Sequence, residues 1–150
     1  MKSRKGFTLV ELMVVVVIVA LLAALLIPML TQRIEAAKWS EGKAAAGTIA
    51  TALRAYVVEK YELEPVPTTG ISITDVTEFM NAADLNGKYF KYGNYILSNV
   101  TYNPGQTGTS DTDYVVTYTI QVTQPTTGSW TMGPYYLTHK GIWSDVAPTG

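Results

Sequence analysis

The chain has 150 residues and a formal net charge of −1, so it has room for one modest domain besides a hydrophobic segment and has no excess of basic charge. It contains no cysteine, which excludes a disulfide framework and thiolate chemistry. The only histidine, His139, lies in a predicted turn, which disfavours a Ser-His-Asp triad or a histidine metal site. We therefore predict that the protein is not an enzyme and has no catalytic residues and no cofactor.

The first predicted element is a helix long enough to span a bilayer. From Leu12 to Leu30, nineteen successive residues carry no charge and no hydrogen-bonding side chain. As a helix this run is about 28 Å long, close to the ~30 Å thickness of the hydrocarbon core. We expect a membrane-spanning segment, in which Pro28 lacks an N–H and kinks or loosens the helix.

A single carboxylate, Glu11, stands at the start of this apolar run. An ionised group in lipid costs roughly 2.5–3.5 kcal/mol or more, so we expect Glu11 to need a partner. No lysine, arginine or histidine lies between Phe7 and Gln32, so the side chains of the segment supply none. A cut between Gly6 and Phe7 would create an ammonium four residues before Glu11 on the same helix face. Neutralisation could then occur within one chain or between Glu11 of one subunit and the terminus of its neighbour.

These residues carry a resemblance to a known family. The leader MKSRKG at 1–6, the following FTLVE at 7–11, the apolar helix and Pro28 together resemble the prepilin signature of the type IV pilin superfamily. The resemblance covers residues 1 to about 60. A secretory signal peptide is the alternative, but its apolar region would span about 7–15 residues without a carboxylate and would precede a small-residue cleavage site.

The resemblance implies a processing and assembly site at the N-terminus. A membrane-embedded prepilin peptidase would cleave after Gly6, and the new N-terminus at Phe7 would be N-methylated. Glu11 matches the glutamate that, in this family, pairs with the N-terminus of an adjacent subunit, here Phe7. Pro28 matches the helix-kinking proline of the family. These roles are expectations from the resemblance.

The predicted fold is α+β, with one long N-terminal helix packed on a small antiparallel sheet of three to four strands, as in pilins. We divide the chain into a prepilin leader at 1–6, a transmembrane or filament-core helix at 7–30, an amphipathic continuation at 31–63 and a C-terminal α+β head at 64–150. Apolar residues at steps of mostly three or four predict the helix face that carries the head. They are Ile34, Ala37, Ala45, Ile49, Leu53, Tyr56 and Val57.

Within the head, a short helix at 74–80 is predicted with Thr74 as its cap. The run from Tyr114 to Thr123 alternates apolar and polar residues, which predicts a half-buried antiparallel strand. Three further strands are expected at Tyr95 to Tyr102, Ser129 to Thr138 and Ile142-Trp143. The expected arrangement is a meander of three or four strands across the second half of the helix.

Signals for ligands in the head are weak. Asp111 and Asp113 are weak calcium candidates in a loop that is otherwise a solvated polar segment, and because calcium takes six to eight ligands we predict no metal site. The ten tyrosines and three tryptophans are better explained by core and inter-subunit packing than by adhesive binding. After residue 63 the cations are Lys88, Lys91 and Lys140, so nucleic acid is not indicated as a partner.

The expected function is that of a structural subunit of an extracellular helical filament. The resemblance favours the major pilin of a type IV pilus, and the alternative is the major pseudopilin of a type II secretion system. A membrane-anchored ligand-binding domain would leave Gly6, Phe7 and Glu11 unexplained. The implied partners are other copies of the chain, the prepilin peptidase and an inner-membrane assembly platform. The chain would cross the inner membrane once before assembly and lie in the extracellular filament afterwards.

Overall fold

The computed structural model describes residues 6–61, 70–102 and 116–148. A long helix α1 at Leu9–Tyr61 is followed by a short helix α2 at Ile73–Val76 and by 3-10 turns at Ala82–Leu85 and Tyr92–Asn94. Four strands follow within the described residues: β1 at Tyr95–Tyr102, β2 at Val116–Val122, β3 at Tyr135–Thr138 and β4 at Trp143–Ser144. The chain divides into two compact units, Met1–Ala36 and Ala37–Gly150.

The first unit holds the apolar part of α1. The large apolar side chains from Leu12 to Leu30 are 52–75% exposed, on every side of the helix. Among the described residues, α1 is the helix that is long and apolar enough to cross a membrane, and its most apolar window has a mean hydropathy of 3.2. The helical assignment continues through Pro28. The Thr31 hydroxyl donates to the Pro28 carbonyl over 2.9 Å, so a side chain supplies a hydrogen bond next to the proline.

The second unit contains the sheet, whose strands are all antiparallel and lie in the order β1-β2-β3-β4. One row of paired residues crosses it, from Leu97 through Ile120 and Leu137 to Trp143. A register shift separates Ser98 from Thr101 on β1, and Asn99 within it has a φ of 53°. The predicted α+β class and the four-strand meander are confirmed.

Residues 37–61 of α1 lie in the same unit as the sheet and supply eight of the nineteen buried residues described in its core. This part of the helix is rich in alanine, which has the highest helix propensity. Its buried side chains recur at steps of three or four, and side chains from the loops and the sheet meet them. The largest fully buried ones are Trp39, Ile49, Leu53, Leu85, Phe90, Tyr118 and Ile120.

The head-facing stripe of α1 begins later than predicted. Ile34 is 46% exposed and Ala37 is exposed, whereas Trp39 is 1% exposed and was not predicted to be buried. The tryptophan ring, packed on other aromatic rings, buries far more apolar area than Ile34 or Ala37 could. Ala45, Ile49, Leu53, Tyr56 and Val57 pack in the head core as predicted.

Three element boundaries also differ from the prediction. Helix α2 is capped at Ser72 rather than Thr74, because the Asp75 carboxylate accepts from both the Ser72 N–H and its hydroxyl over 2.8 Å. Strand β3 covers only the end of the predicted Ser129–Thr138 strand, since Pro134 has no N–H for the ladder. Strand β4 is Trp143–Ser144 rather than Ile142–Trp143. The predicted helix end at 63, together with Tyr114 and Val115 of the predicted strand, lies outside the described residues.

Candidate functional site

The start of α1 forms a reciprocal capping arrangement between Thr8 and Glu11. Thr8 precedes the first helical residue, so its side chain can accept from N–H groups of the first turn that have no helical partner. The Glu11 N–H donates to Thr8 Oγ1 over 3.2 Å. In return, Glu11 Oε2 accepts from the Thr8 N–H over 2.9 Å and from the Thr8 hydroxyl over 2.8 Å. The sequence Thr-Leu-Val-Glu thus forms a capping box.

This arrangement gives Glu11 hydrogen-bond donors but no opposite charge. Thr8 is neutral, so its hydrogen bonds bring no positive charge to the carboxylate at the edge of the apolar helix. Within the described residues, the hydrogen bonds to this carboxylate all end on Oε2, and Oε1 stays open to a further donor. The prediction that no side chain of this segment is a partner for Glu11 was wrong, because it considered cations and not hydrogen-bond donors.

Gly6 and Phe7 lie before the helix and are both exposed, Phe7 to 85%. Among the described residues, a Cβ built at Gly6 meets no atom within 4 Å, and the φ of Gly6 is not in the left-handed region. The described fold therefore does not require glycine at this position. A requirement for glycine would come from a partner that binds the segment, such as a processing enzyme.

The weak metal candidates cannot be located, since Asp111 and Asp113 lie outside the described residues. In the parts of the chain that the structure describes, no three histidine, cysteine, aspartate or glutamate side chains come together as a metal site would require. His139 lies in the turn after β3, where its N–H donates to the Tyr118 carbonyl over 3.1 Å. Burial lowers the pKa of His139, and the positive charges of Lys140 and Arg54 lower it further.

Glu41 is a head-organising residue that the sequence did not indicate. Its Oε1 accepts from the N–H groups of Tyr89 and Phe90 over 2.8 and 2.9 Å, so one carboxylate oxygen of α1 holds the 87–90 loop. Burial by itself raises the pKa of Glu41, but the hydrogen bonds from the loop N–H groups and the charge of Lys91 outweigh it and hold that pKa below its ordinary value. A Cβ at Gly87 would collide with the Glu41 carboxylate, so a side chain there would push this carboxylate away from its present position.

The aromatic residues of the head pack around Trp39. Its ring centroid lies 4.8 Å from that of Tyr135, 4.9 Å from that of Phe90 and 5.7 Å from that of Trp130. The Lys43 ammonium lies 3.9 Å from the centroid of the Tyr135 ring, within cation–π range. These contacts are those of a packed core, in line with the packing interpretation of the aromatic residues.

Comparison with known proteins found a match at the N-terminus of the chain. Residues 1–27 match a family model described as the prokaryotic N-terminal methylation motif. The match includes the leader, Gly6, Phe7 and Glu11, and it confirms the resemblance to the signature of type IV pilins and pseudopilins. Neither the search of curated proteins nor the search of solved structures found a match.

The matched motif and the fold point to the same kind of protein. The chain carries the N-terminal signature of the type IV pilin and pseudopilin superfamily, followed by a long helix packed on an antiparallel sheet. Signature and fold together indicate a structural subunit, and the apolar helix is consistent with membrane anchoring.

Proposed function

We propose that this chain is the major subunit of a type IV pilus, in which N-terminal helices pack side by side to form the core of an extracellular filament. The observation that carries the proposal is an apolar helix surface, exposed on all sides, with one carboxylate at its start. Such a surface is stable only in lipid or against other apolar helices. The methylation motif on the same residues supports a helix that lies first in the lipid and later against other apolar helices.

The proposed assembly step is a change of partner at Glu11. In the separate chain, Thr8 donates two hydrogen bonds to one carboxylate oxygen and supplies no charge. Cleavage after Gly6 would create an ammonium at Phe7, and in a filament this group of one subunit would reach the Glu11 carboxylate of its neighbour. Because a core with little water makes an unpaired charge costly, the pair would also fix the axial register between subunits.

The route to the filament follows from the charge distribution of the unprocessed chain. Lys2, Arg4 and Lys5 precede the apolar helix, and basic residues next to a membrane span are retained on the cytoplasmic side. The chain would therefore cross the inner membrane once, with its head on the far side. The prepilin peptidase would remove residues 1–6, and an inner-membrane assembly platform would then add the subunit to the filament.

A major pseudopilin of a type II secretion system is the alternative, since it shares the methylation motif. Against it, the sequence shows no recognisable aspartate-rich C-terminal calcium loop of the kind typical of that class, although the exposed Asp145 keeps this alternative open. Neighbouring genes distinguish the two: a retraction motor favours a pilus, whereas an outer-membrane secretion channel with minor pseudopilins favours secretion.

The proposal is tested by the intact mass of the protein in sheared surface filaments. We expect a mature chain that begins at Phe7 and carries one N-terminal methyl group. The Gly6→Val variant should accumulate uncleaved in the membrane, because a branched side chain is not expected to fit a peptidase site for glycine. A surface protein that retains residues 1–6, or one that begins beyond Ala20, would contradict the prepilin assignment.

A further inference from the structure

One asparagine of the head stands in a sequence that fits a covalent modification. Asn99, Val100 and Thr101 form an Asn-X-Thr sequon, the acceptor sequence for N-linked glycosylation. None of the other four asparagines of the chain has a serine or threonine two positions later. Sequons also arise by chance, so the structure around Asn99 decides whether this one is suited to modification.

The backbone at Asn99 departs from that of a regular strand. Asn99 lies within β1, but the register with β2 shifts between Ser98 and Thr101, and Asn99 has no paired residue on β2. In the described parts of the chain, it is the one residue other than glycine with a positive φ, 53°. Asparagine adopts this conformation more readily than most residues. The sequon is therefore presented on a β-bulge, which turns a side chain away from the regular ladder.

The side chain of Asn99 is both accessible and unengaged. Asn99 is exposed, and its amide group has no hydrogen-bond partner among the described residues. By contrast, the side-chain oxygens of Asn81, Asn86 and Asn94 each accept from a backbone N–H of the head. Strand β1 is also the first in the strand order, so it lies at an edge of the described sheet. The Asn99 amide is thus open to an enzyme that approaches this edge.

The other two residues of the sequon hold it in this position. Val100 is 9% exposed and belongs to the head core, whereas Thr101 is exposed like Asn99. The Thr101 hydroxyl is hydrogen-bonded to that of Thr117 on β2. This bond gives Thr101 a structural role, but it involves neither the Asn99 side chain nor its exposure. Since Thr117 lies outside the sequon, the structural role and the sequon can be tested separately.

We propose that Asn99 is the attachment site of an N-linked glycan. The reaction joins Nδ2 of Asn99 to the anomeric carbon of an oligosaccharide and breaks the bond from that carbon to a lipid-linked diphosphate. The diphosphate leaves with the bonding electrons, and a base of the transferase takes the proton from the amide nitrogen. The lipid-linked donor rests on the proposed function, which places the head on the far side of the inner membrane. A bulky hydrophilic group at this edge would also hinder its pairing with a strand of another chain.

The site is tested by peptide mass spectrometry on the full-length chain, purified from the membranes of the cells that make it. We expect the peptide that contains Asn99 to carry the added mass of whole sugar residues. Fragmentation that leaves glycosidic bonds intact should place this mass on Asn99. Protein in which Asn99 is entirely unmodified would overturn the proposal, and so would sugars attached to the hydroxyls of Ser98 or Thr101 instead.

Four variants separate the sequon from the local structure. Asn99→Gln should lose the added mass, because glutamine is not an acceptor. Thr101→Val removes both the sequon and the bond to Thr117, and it should lose the added mass as well. Thr117→Val is the matched control, since it removes the same hydrogen bond but leaves the sequon, and it should retain the glycan, as should Thr101→Ser. A glycan that survives Thr101→Val, or one that Thr117→Val also removes, would contradict recognition through the sequon.

The outcome is separate from that of the proposed function, because the membrane-bound chain is measured before assembly. Filaments built from a chain without the glycan would overturn this site and leave the proposed function standing. A chain that carries the glycan on Asn99 but forms no filaments would contradict the proposed function and leave the site standing.

Discussion

Thr8 and Glu11 hold each other at the first turn of α1, with the threonine hydroxyl both donating to the carboxylate and accepting from the Glu11 N–H. The bonds span 2.8 and 3.2 Å. They fix the direction in which the carboxylate points before any second subunit arrives. A carboxylate that is already oriented loses less side-chain freedom when it binds a neighbouring ammonium.

Thr8→Val keeps the shape of threonine but removes the hydroxyl and with it two of the three bonds between residues 8 and 11. We expect faster amide hydrogen exchange over residues 9–12, by several-fold, because the first helical turn loses its cap. Thr8→Ser retains the hydroxyl and should exchange like the wild type. Exchange measured by NMR in micelles compares the three chains, and equal rates in all of them would show that the capping box does not stabilise this turn.

The lowered pKa of Glu41 predicts that the stability of the head depends on pH. Its pKa in the folded chain lies below the ordinary value, so its contribution is complete above about pH 4.5 and is lost as the pH falls through the lowered value. Glu41→Gln keeps an acceptor but removes the charge that strengthens the bonds to Tyr89 and Phe90. We expect a loss of about 1 kcal/mol at pH 7, and a smaller loss at an acidic pH below the lowered pKa, where the wild type has also lost the charge.

Chemical unfolding of the full-length chain in micelles, followed by tryptophan fluorescence, measures this difference at the two pH values. Glu59→Gln serves as the control, because Glu59 is an exposed glutamate on the same helix. An equal loss for Glu41→Gln at both pH values would contradict the role of the carboxylate charge.

Gly133 and Gly141 form a natural pair for separating backbone strain from steric overlap. Both have positive φ, 83° and 75°, but a Cβ at Gly133 would collide with the Trp39 ring, whereas a Cβ at Gly141 meets no atom of the described residues within 4 Å. Gly141→Ala should cost about 1–2 kcal/mol from backbone strain alone. Gly133→Ala should cost roughly 1–3 kcal/mol more, because Trp39 must move within a packed core. Similar losses in the two variants would contradict the tight packing of Trp39.

The head depends on the C-terminal half of α1 for its core. A chain without residues 1–28 keeps Trp39, Ile49 and Leu53, and we expect it to be soluble and to unfold cooperatively. A chain without residues 1–63 loses all three and leaves the apolar side of the sheet exposed, so its unfolding should be broad. Thermal unfolding by circular dichroism compares them, and an equally sharp transition in the shorter chain would show that the sheet does not need the helix.

Local patterns were enough to predict the N-terminal signature, the long helix and the strand meander. The signature lies in contiguous residues, and the alternation from Val116 to Val122 predicts strand β2. The strand is more buried than the predicted half-buried strand, because Thr119 is buried as well and none of its residues is exposed. The Thr8 cap was readable too, as a threonine three positions before a glutamate. It was missed because the search for a Glu11 partner considered charge and not hydrogen bonding.

Contacts between distant positions could not be predicted in the same way. Glu41 accepts hydrogen bonds from N–H groups 48 and 49 positions away in the chain. The sequence around Glu41 does not indicate which loop will pack against this part of the helix. Trp39 was overlooked because the periodic face was extended back to Ile34, where the described side chain is 46% exposed. At the start of α2, Ser72 and Thr74 are both good caps, and only the position of Asp75 decides between them.

The central claim is that the Glu11 charge pairs with the terminus of a neighbouring subunit, and filament yield from Glu11→Gln tests it most directly. Glutamine keeps the size and the hydrogen bonding of glutamate but has no charge. We expect normal membrane insertion, cleavage after Gly6 largely retained, and a severe loss of sheared filaments, with poor incorporation of the variant beside a co-expressed wild-type copy. A wild-type yield of filaments built from Glu11→Gln alone would contradict the account, because apolar packing would then set the register without the charge pair.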